Sequence, residues 1–435
     1  MKLANLAGAM ALLLMQGCAP PTEIGFLSPD GLSSEFSPHV DVAMVNALSI
    51  EQLTISLHEA RRANIRLLVD LGPIMRQPAP ASEVKGSYLG SDGNERQKQL
   101  APAPRNKLWA KAGHADGMRR LQAYLPLLSA YADVVDSVFL IDEPYLNGVS
   151  RQAYAALAGD VRQTLDGAGL QHVKIGVIFS SALFNADFAQ LIQRHAAAYV
   201  EAIDNEYLRI GDQPASPAEQ AWRENIAQHR LTTYDLAGNI YTGGGIPEGV
   251  DWVSFNFYAS SLLLDQTHEE SLAWFAKRFA DGACARFANT TVSDLRKQLS
   301  FFHDGSMRAG QHWIEQDRAL LDAAHDCRME GTLTLLREAI ITSGRPVQIM
   351  LIGESSDNGL LEFDARSTPK QGQPAKLIEL RVRDEVLRAR NLLQRHEDIR
   401  RLLYFTYANA YDPAIALHIG GAADMPSVLA EIYRN

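Results

Sequence analysis

The stretch VDSVFLIDEPYLNG, residues 135–148, ends an apolar run with two carboxylates. Val138–Ile141 close the run, and Asp142, Glu143 and Pro144 follow directly. A purely structural strand usually ends in Gly, Asn or Ser, whereas parallel α/β folds bind ligands at the carboxyl ends of their strands. The stretch therefore indicates a buried parallel strand that brings acids to a functional face.

Apolar runs of the same kind alternate with helical patterns along most of the chain. Together with the first stretch they give seven predicted strands, the other six being His39–Asn46, Arg66–Gly72, Val173–Ser181, Gly249–Ala259, Pro346–Gly359 and Arg400–Asp412. Repeated βα units predict a parallel sheet with helices outside it. Seven strands in a chain of this length predict an α/β fold, the (β/α)8 TIM barrel, with one strand unassigned.

The position of the eighth strand is not decided by the sequence, and the two candidate positions are Tyr199–Ile203 and the segment 73–110. A doubly wound open sheet is the competing fold. It usually carries a glycine-rich phosphate loop after its first strand, but Asn46 is followed by Ala47-Leu48-Ser49. The glycine-rich run 243–245 leads into Ile-Pro rather than into a helix. The barrel is therefore the preferred prediction.

A mostly helical segment, residues 261–345, separates two of the predicted strands. We interpret it as an insertion on the functional face, before the strand that carries Glu354. It contains Cys284 and Cys327, which in an oxidising compartment could form a disulfide. Two buried free thiols are the alternative.

The first residues read as a targeting segment. A basic start is followed by the apolar run Leu3–Met15, which is too short to span a bilayer but suits a signal peptide. The sequence LLMQGC that ends at Cys18 resembles a bacterial lipobox, which implies a signal peptide over 1–17 and lipidation of Cys18. An ordinary signal peptide with a chance cysteine is the alternative.

The lipobox resemblance implies a domain plan and a location. Residues 18–36 are expected to form a lipidated tether and residues 37–435 a single barrel domain. Ala19 after the cysteine resembles an outer-membrane rather than an inner-membrane address. The expected location is therefore the bacterial cell envelope, with a lipid anchor, on the periplasmic or the surface side.

Composition restricts the partners. The chain has 435 residues and a formal net charge of −10. An acidic protein is a poor partner for nucleic acid or an anionic membrane surface, so no nucleic-acid function is expected. The twelve histidines show no metal-ligand spacing, and no Gly-x-Ser-x-Gly elbow is present. We predict no metal site, no cofactor and no serine hydrolase.

Three predicted strand ends carry related chemistry. They supply Asp142 and Glu143, then Glu354, and then Asn256 with Tyr258. In a parallel barrel these ends converge, and two carboxylates on rigid elements are what glycoside hydrolysis requires. Because side chains alternate along a strand, Asp142 and Glu143 cannot both point inward while the strand stays regular.

The pair FLIDEPY and LIGES resembles the retaining barrel glycosidases of clan A, as a divergent member. The resemblance implies that Glu143 is the acid/base and Glu354 the nucleophile, with Tyr258 hydrogen-bonded to the nucleophile. Asp142 departs from the family, which has Asn there to bind the sugar. The implied function is a poly- or oligosaccharide hydrolase that retains anomeric configuration.

Other residues have open alternatives. Tyr404 and Tyr407 stand where the clan usually has a sugar-stacking Trp, and we expect them to face ligand. Asp70 either lines the same rim or caps the next segment, and Trp252 is expected in the core rather than under a sugar. The two acids could also be structural. A carbohydrate-binding barrel of the cell envelope, without catalysis, is the competing function.

Overall fold

The structure is a computed structural model. The structure describes residues 22–78, 87–89, 94–97, 108–110, 115–146, 149–211, 213–217, 219–220, 244–256, 266–299, 311–357, 375–412 and 417–434.

Eight parallel strands close into a barrel, which confirms the predicted (β/α)8 fold. Neighbours in the barrel follow chain order, and the last strand pairs with the first. The strands are β1 Glu23–Leu27, β2 Val42–Asn46, β3 Arg66–Asp70, β4 Val135–Asp142, β5 Lys174–Ser180, β6 Trp252–Asn256, β7 Gln348–Glu354 and β8 Ile399–Phe405.

The strand that the sequence left unassigned is β1, at the start of the barrel. It lies inside the segment 18–36 that was expected to be a tether, so the barrel begins at Glu23 rather than at residue 37. Neither candidate position was right, because 199–203 lies within a helix and the described strands between 76 and 110 pair with each other outside the barrel. Gly25 is required in β1, since a Cβ there would lie 1.7 Å from the Val42 carbonyl oxygen.

Helices follow most of the strands in the described ranges. Ser49 and Ser150 cap two of them by accepting the N–H of Gln52 and of Ala153, each at 3.1 Å. Besides the short helix Gly72–Met75, the helices are α1 Ile50–Ala63, α2 Ala115–Ala130, α3 Arg151–Gly167, α4 Ala186–Ile210, α5 Gln266–Arg278, α6 Val292–Leu299, α7 Gln311–Ser343, α8 Ala375–Arg395 and α9 Pro426–Ile432. Within the described ranges, none of these helices is both long and apolar enough to cross a bilayer.

The core has two apolar layers, as strand alternation requires. The outer layer packs the barrel against its helices. The inner layer fills the barrel with Val42, Met44, Leu68, Phe139, Ile178, Trp252, Met350, Ile352 and Leu403. Trp252 is thus a core residue, as expected, and it is 4% exposed.

A buried arginine forms ion pairs at the amino ends of the strands. Arg401 is 2% exposed and bonds Glu23 at 2.5 Å and Asp136 at 2.7 Å. Its guanidinium lies 4.1 Å from the centroid of the Trp252 ring. Removing one partner of such a pair would leave a buried charge uncompensated and would destabilise the fold.

The segment between β6 and β7 is helical where it is described, with α5, α6 and α7. Cys284 and Cys327 are joined by a disulfide, with their Cα atoms 4.4 Å apart. Helix α7 packs closely on α5, since a Cβ at Gly331 would lie 2.4 Å from the Phe275 ring. The disulfide and this packing fix α7 to the rest of the segment.

Candidate active site

The carboxyl ends of six strands bring polar side chains to the mouth of the barrel. Apolar side chains on these strands fill the inside of the barrel, and the last inward-facing position of each strand, at its carboxyl end, is polar. Register places these residues side by side, for example Asn46 beside Asp70 and Asn256 beside Ser180. The ring consists of Asn46, Asp70, Asp142, Ser180, Asn256 and Glu354.

Asn46 and Ser180 belong to this ring but were not predicted from the sequence. Their positions two residues after inward-facing Met44 and Ile178 were the available signal. It could be used only once the inward face of each strand was known.

A β-bulge in β4 turns Asp142 inward. Phe139 pairs with Gly176, and the next recorded pair joins Asp142 to Ile178, so three steps on β4 oppose two on β5. Leu140 and Ile141 can therefore both pack in the outer layer. Bulges next to functional sites often re-aim a side chain in this way.

Glu143 follows the bulge in a left-handed conformation, with φ 47°. Its N–H donates to the Ile178 carbonyl oxygen at 3.1 Å. Its Oε1 accepts a hydrogen bond from Asn256 Nδ2 at 2.8 Å, so the carboxylate lies at the mouth beside β6. The bulge and this turn together let consecutive acids lie at one rim, which a regular strand would forbid.

Glu354 ends β7 and is only 2% exposed. It stands two residues after inward-facing Ile352, so alternation aims it into the mouth. The Ser356 N–H donates to Glu354 Oε1 at 3.1 Å, and the Ser356 hydroxyl donates to the same oxygen. Among the described residues, Oε2 has no hydrogen-bond partner.

This environment favours the protonated form of Glu354. Burial raises the pKa of its carboxyl well above the ordinary value. The hydrogen bonds from Ser356 oppose that rise, while the charges of Glu385 and Asp357 add to it. The net effect of these surroundings is to stabilise the neutral carboxyl relative to the carboxylate.

Asp70 serves both of the roles that the sequence left open. It is 6% exposed at the inward end of β3, and its Oδ1 accepts the Gly72 N–H at 2.8 Å. It thereby caps the short helix Gly72–Met75 while it forms part of the polar ring. Gly72 allows this close approach, because a Cβ there would lie 2.9 Å from Oδ1.

Tyr404 and Tyr407 do not lie at the mouth, and the expectation that they face ligand is corrected. On β8 the inward residues are Leu403 and Phe405, so Tyr404 points to the outer layer, where it is fully buried against Phe26. Tyr407 also packs on Phe26, at 5.4 Å between ring centroids. Its hydroxyl donates to Glu35 Oε2 at 3.0 Å.

Two of the predicted residues, Cys18 and Tyr258, lie outside the described residues. Within the described ranges, no group of three His, Cys, Asp or Glu side chains is arranged to hold a metal ion.

No family model matches this chain, and no curated protein matches it significantly. Among solved structures it is similar to a glycoside hydrolase family 17 β-1,3-glucanosyltransferase from Rhizomucor miehei, at 10% identity over 89% of this chain and 84% of that one, with a TM-score of 0.35. It is also similar to an endo-β-1,4-mannanase from Cellulomonas fimi, at 10% identity over 94% and 70%, with a TM-score of 0.36. A β-glucosidase from Thermotoga maritima matches at 7% identity over 92% and 84%, with a TM-score of 0.34.

Proposed function

We propose that this protein hydrolyses a glycosidic bond in a poly- or oligosaccharide by a two-carboxylate mechanism. The observation that carries the proposal is the placement of Glu143 and Glu354 at the carboxyl ends of β4 and β7. Both stand on rigid strand ends of one barrel mouth, and Asn256 orients Glu143. Side chains at this face form the active sites of barrel enzymes, and fixed carboxylates are what glycosidases need.

Counting β1 as the first strand puts the two glutamates on the fourth and seventh strands. These are the strands that carry the acid/base and the nucleophile in the clan A resemblance. We therefore assign Glu354 as nucleophile, which attacks the anomeric carbon, and Glu143 as the acid that protonates the leaving oxygen. Glu143 then removes a proton from the water that releases the sugar with retained configuration.

The protonation of Glu354 adds a condition to this mechanism. Attack on the anomeric carbon requires the carboxylate, whereas burial favours the neutral carboxyl. Substrate binding must uncover Glu354, and the proton must leave before the covalent intermediate forms. The rate should consequently rise with pH through the raised pKa of Glu354.

The same burial favours one alternative, a carbohydrate-binding barrel without catalysis. A carboxyl that stays 2% exposed and neutral would serve as a structural hydrogen-bonding group rather than as a nucleophile. The two functions differ in whether bound sugar is cut.

A screen of the purified protein against bacterial and plant polysaccharides tests the choice. The wild type should release reducing ends from at least one polymer, while Glu354→Gln should bind that polymer without cutting it. Equal binding by both proteins without cleavage of any polymer would favour the alternative.

We also propose that the protein is a lipoprotein of the cell envelope, anchored through Cys18. Four residues lie between Cys18 and Glu23, the first residue of β1, and the five steps from Cys18 to Glu23 can span at most about 18 Å. The amino ends of the strands would then lie close to the bilayer, with the mouth directed away from it. Cys18→Ala should release the protein from the membrane fraction, and an unmodified Cys18 in wild-type protein would contradict the anchor.

A further inference from the structure

A buried arginine of the helical segment reaches the back of the candidate active site. Arg328 on α7 is 2% exposed. Its guanidinium carbon lies 4.8 Å from the centroid of the Phe275 ring and 5.5 Å from that of Phe188. Burial lowers the pKa of this guanidinium to about 9, so the group is still a cation at neutral pH.

Two features hold Arg328 in this position. The preceding residue, Cys327, is bonded to Cys284 in the 3-10 helix Gly282–Phe287. The absence of a side chain at Gly331 lets α7 press against the Phe275 ring. Helix α7 is therefore held in place both just before and just after Arg328, which fixes the position of the guanidinium.

From Arg328 a short series of contacts leads to Glu143. Arg328 Nη2 donates to Ser181 Oγ at 2.9 Å. The Ser181 N–H donates to the Asn256 carbonyl oxygen at 3.1 Å. Asn256 in turn donates through Nδ2 to Glu143 Oε1 at 2.8 Å.

Because Ser181 has an unfavourable backbone conformation, the contacts from Ser181 to Glu143 depend on its bond to Arg328. Ser181 follows β5 with φ 46°, in the left-handed region that residues other than glycine disfavour. Such a conformation persists only where its surroundings impose it. The bond from Arg328 to the Ser181 hydroxyl is a side-chain contact that can hold Ser181 there, together with the bond from the Ser181 N–H to Asn256.

We propose that Arg328 is a positioning residue, which holds Ser181 in its left-handed turn and thereby keeps Asn256 aligned on Glu143. Through Arg328, helix α7 would then help to align the candidate active site. The role in catalysis rests on the proposed function, whereas the alignment itself does not.

Substitutions at Ser181 test this without removing the buried charge. Ser181→Ala and Ser181→Gly both lose the hydroxyl, but only glycine adopts a positive φ without strain. Ser181→Ala should therefore shift the Asn256 side-chain amide resonance and lower kcat by about threefold to fivefold, part of the value of one hydrogen bond, with KM within about twofold. Ser181→Gly should stay close to the wild type in both measurements.

Substitutions at Arg328 provide a second, independent test of the proposal. Arg328→Met should reproduce the Ser181→Ala result, and adding Ser181→Gly to it should restore the Asn256 resonance and most of kcat. Arg337→Met on the same helix is the matched control, because Arg337 bonds Asp398 at 2.8 Å, away from this series, and should change neither measurement.

The two readouts separate the two claims. If the wild type cuts no glycoside, the proposed function fails, and the Asn256 resonance alone still decides the alignment. An unshifted Asn256 resonance in Ser181→Ala and Arg328→Met would overturn the proposal. Equal losses in Ser181→Ala and Ser181→Gly would also overturn it, since strain at Ser181 would then play no part.

Discussion

Replacing Glu354 by glutamine should stabilise the protein, and increasingly so as the pH rises. Glutamine has the same shape, its oxygen can still accept from Ser356, and it cannot ionise. In the wild type the folded state holds the Glu354 proton more tightly than the unfolded chain does, because burial raises the pKa. Stability is then complete below the unfolded pKa of about 4.3 and is lost as the pH rises through the raised folded value.

The size of the effect follows from linkage. Each unit by which the folded pKa exceeds the unfolded one is worth about 1.4 kcal/mol at high pH. A domain of about 400 residues has an unfolding entropy near 0.8 kcal/mol per kelvin, so each unit corresponds to about 2 °C in Tm. The Tm advantage of Glu354→Gln should be small at pH 4, should grow as the pH rises above the unfolded pKa, and should level off above the raised folded pKa of Glu354.

Differential scanning calorimetry from pH 4 to pH 9 measures this difference. The matched control is Glu338→Gln, on the exposed side of α7, which removes the same charge without a burial cost. A Tm difference for Glu354→Gln that is flat with pH, or equal to that of the control, would refute the view that Glu354 is protonated by burial.

Three further predictions follow from the site and the helical segment. For the assigned nucleophile, kcat/KM should rise with pH through the raised pKa of Glu354, so an acidic limb at ordinary carboxylate pH in the pH–rate profile would count against the assignment. Asn256→Ala should lower kcat/KM by about fivefold to tenfold through loss of its 2.8 Å bond to Glu143, and Asn256→Asp should lower it further by placing like charges together, as steady-state kinetics would show. The disulfide joins residues 43 positions apart and should contribute about 4 kcal/mol to the free energy of unfolding in the chain-entropy model. Thiol counting on denatured, unreduced protein should find neither Cys284 nor Cys327 free, and two reactive thiols would disprove the bridge.

The sequence was most informative where burial is continuous. Parallel barrel strands read as unbroken apolar runs, so β4 and β7 and their terminal acids could be predicted from sequence. The strand β1 could not, because EIGFL has a charged residue at one end and a glycine in the middle. Glu23 is accommodated by Arg401, a partner 378 residues away in the chain, and this pairing exists only in the closed barrel.

The direction of individual side chains was the least predictable property. Tyr404 stands at a strand end that reaches the mouth, yet it is one position out of phase with the inward face. Asp142 is the opposite case, because regular alternation would point it outward and a bulge of one residue in β4 turns it to the inward face. The contact between Arg328 and Ser181 spans 147 residues and carries no local signal in the sequence.

The most direct test of the central claim is the product formed with azide from dinitrophenyl glycosides of the sugar that the wild type accepts. Such substrates need no acid for the first step, so Glu143→Ala should still form the glycosyl-enzyme, and azide should release a glycosyl azide of retained configuration. In Glu354→Ala no covalent intermediate can form, and azide should attack the anomeric carbon directly to give the inverted product. Proton NMR of the anomeric signal distinguishes the two products. Hydrolysis at the wild-type rate in both variants, or no azide product from either, would contradict the assignment of Glu143 and Glu354 as the catalytic pair.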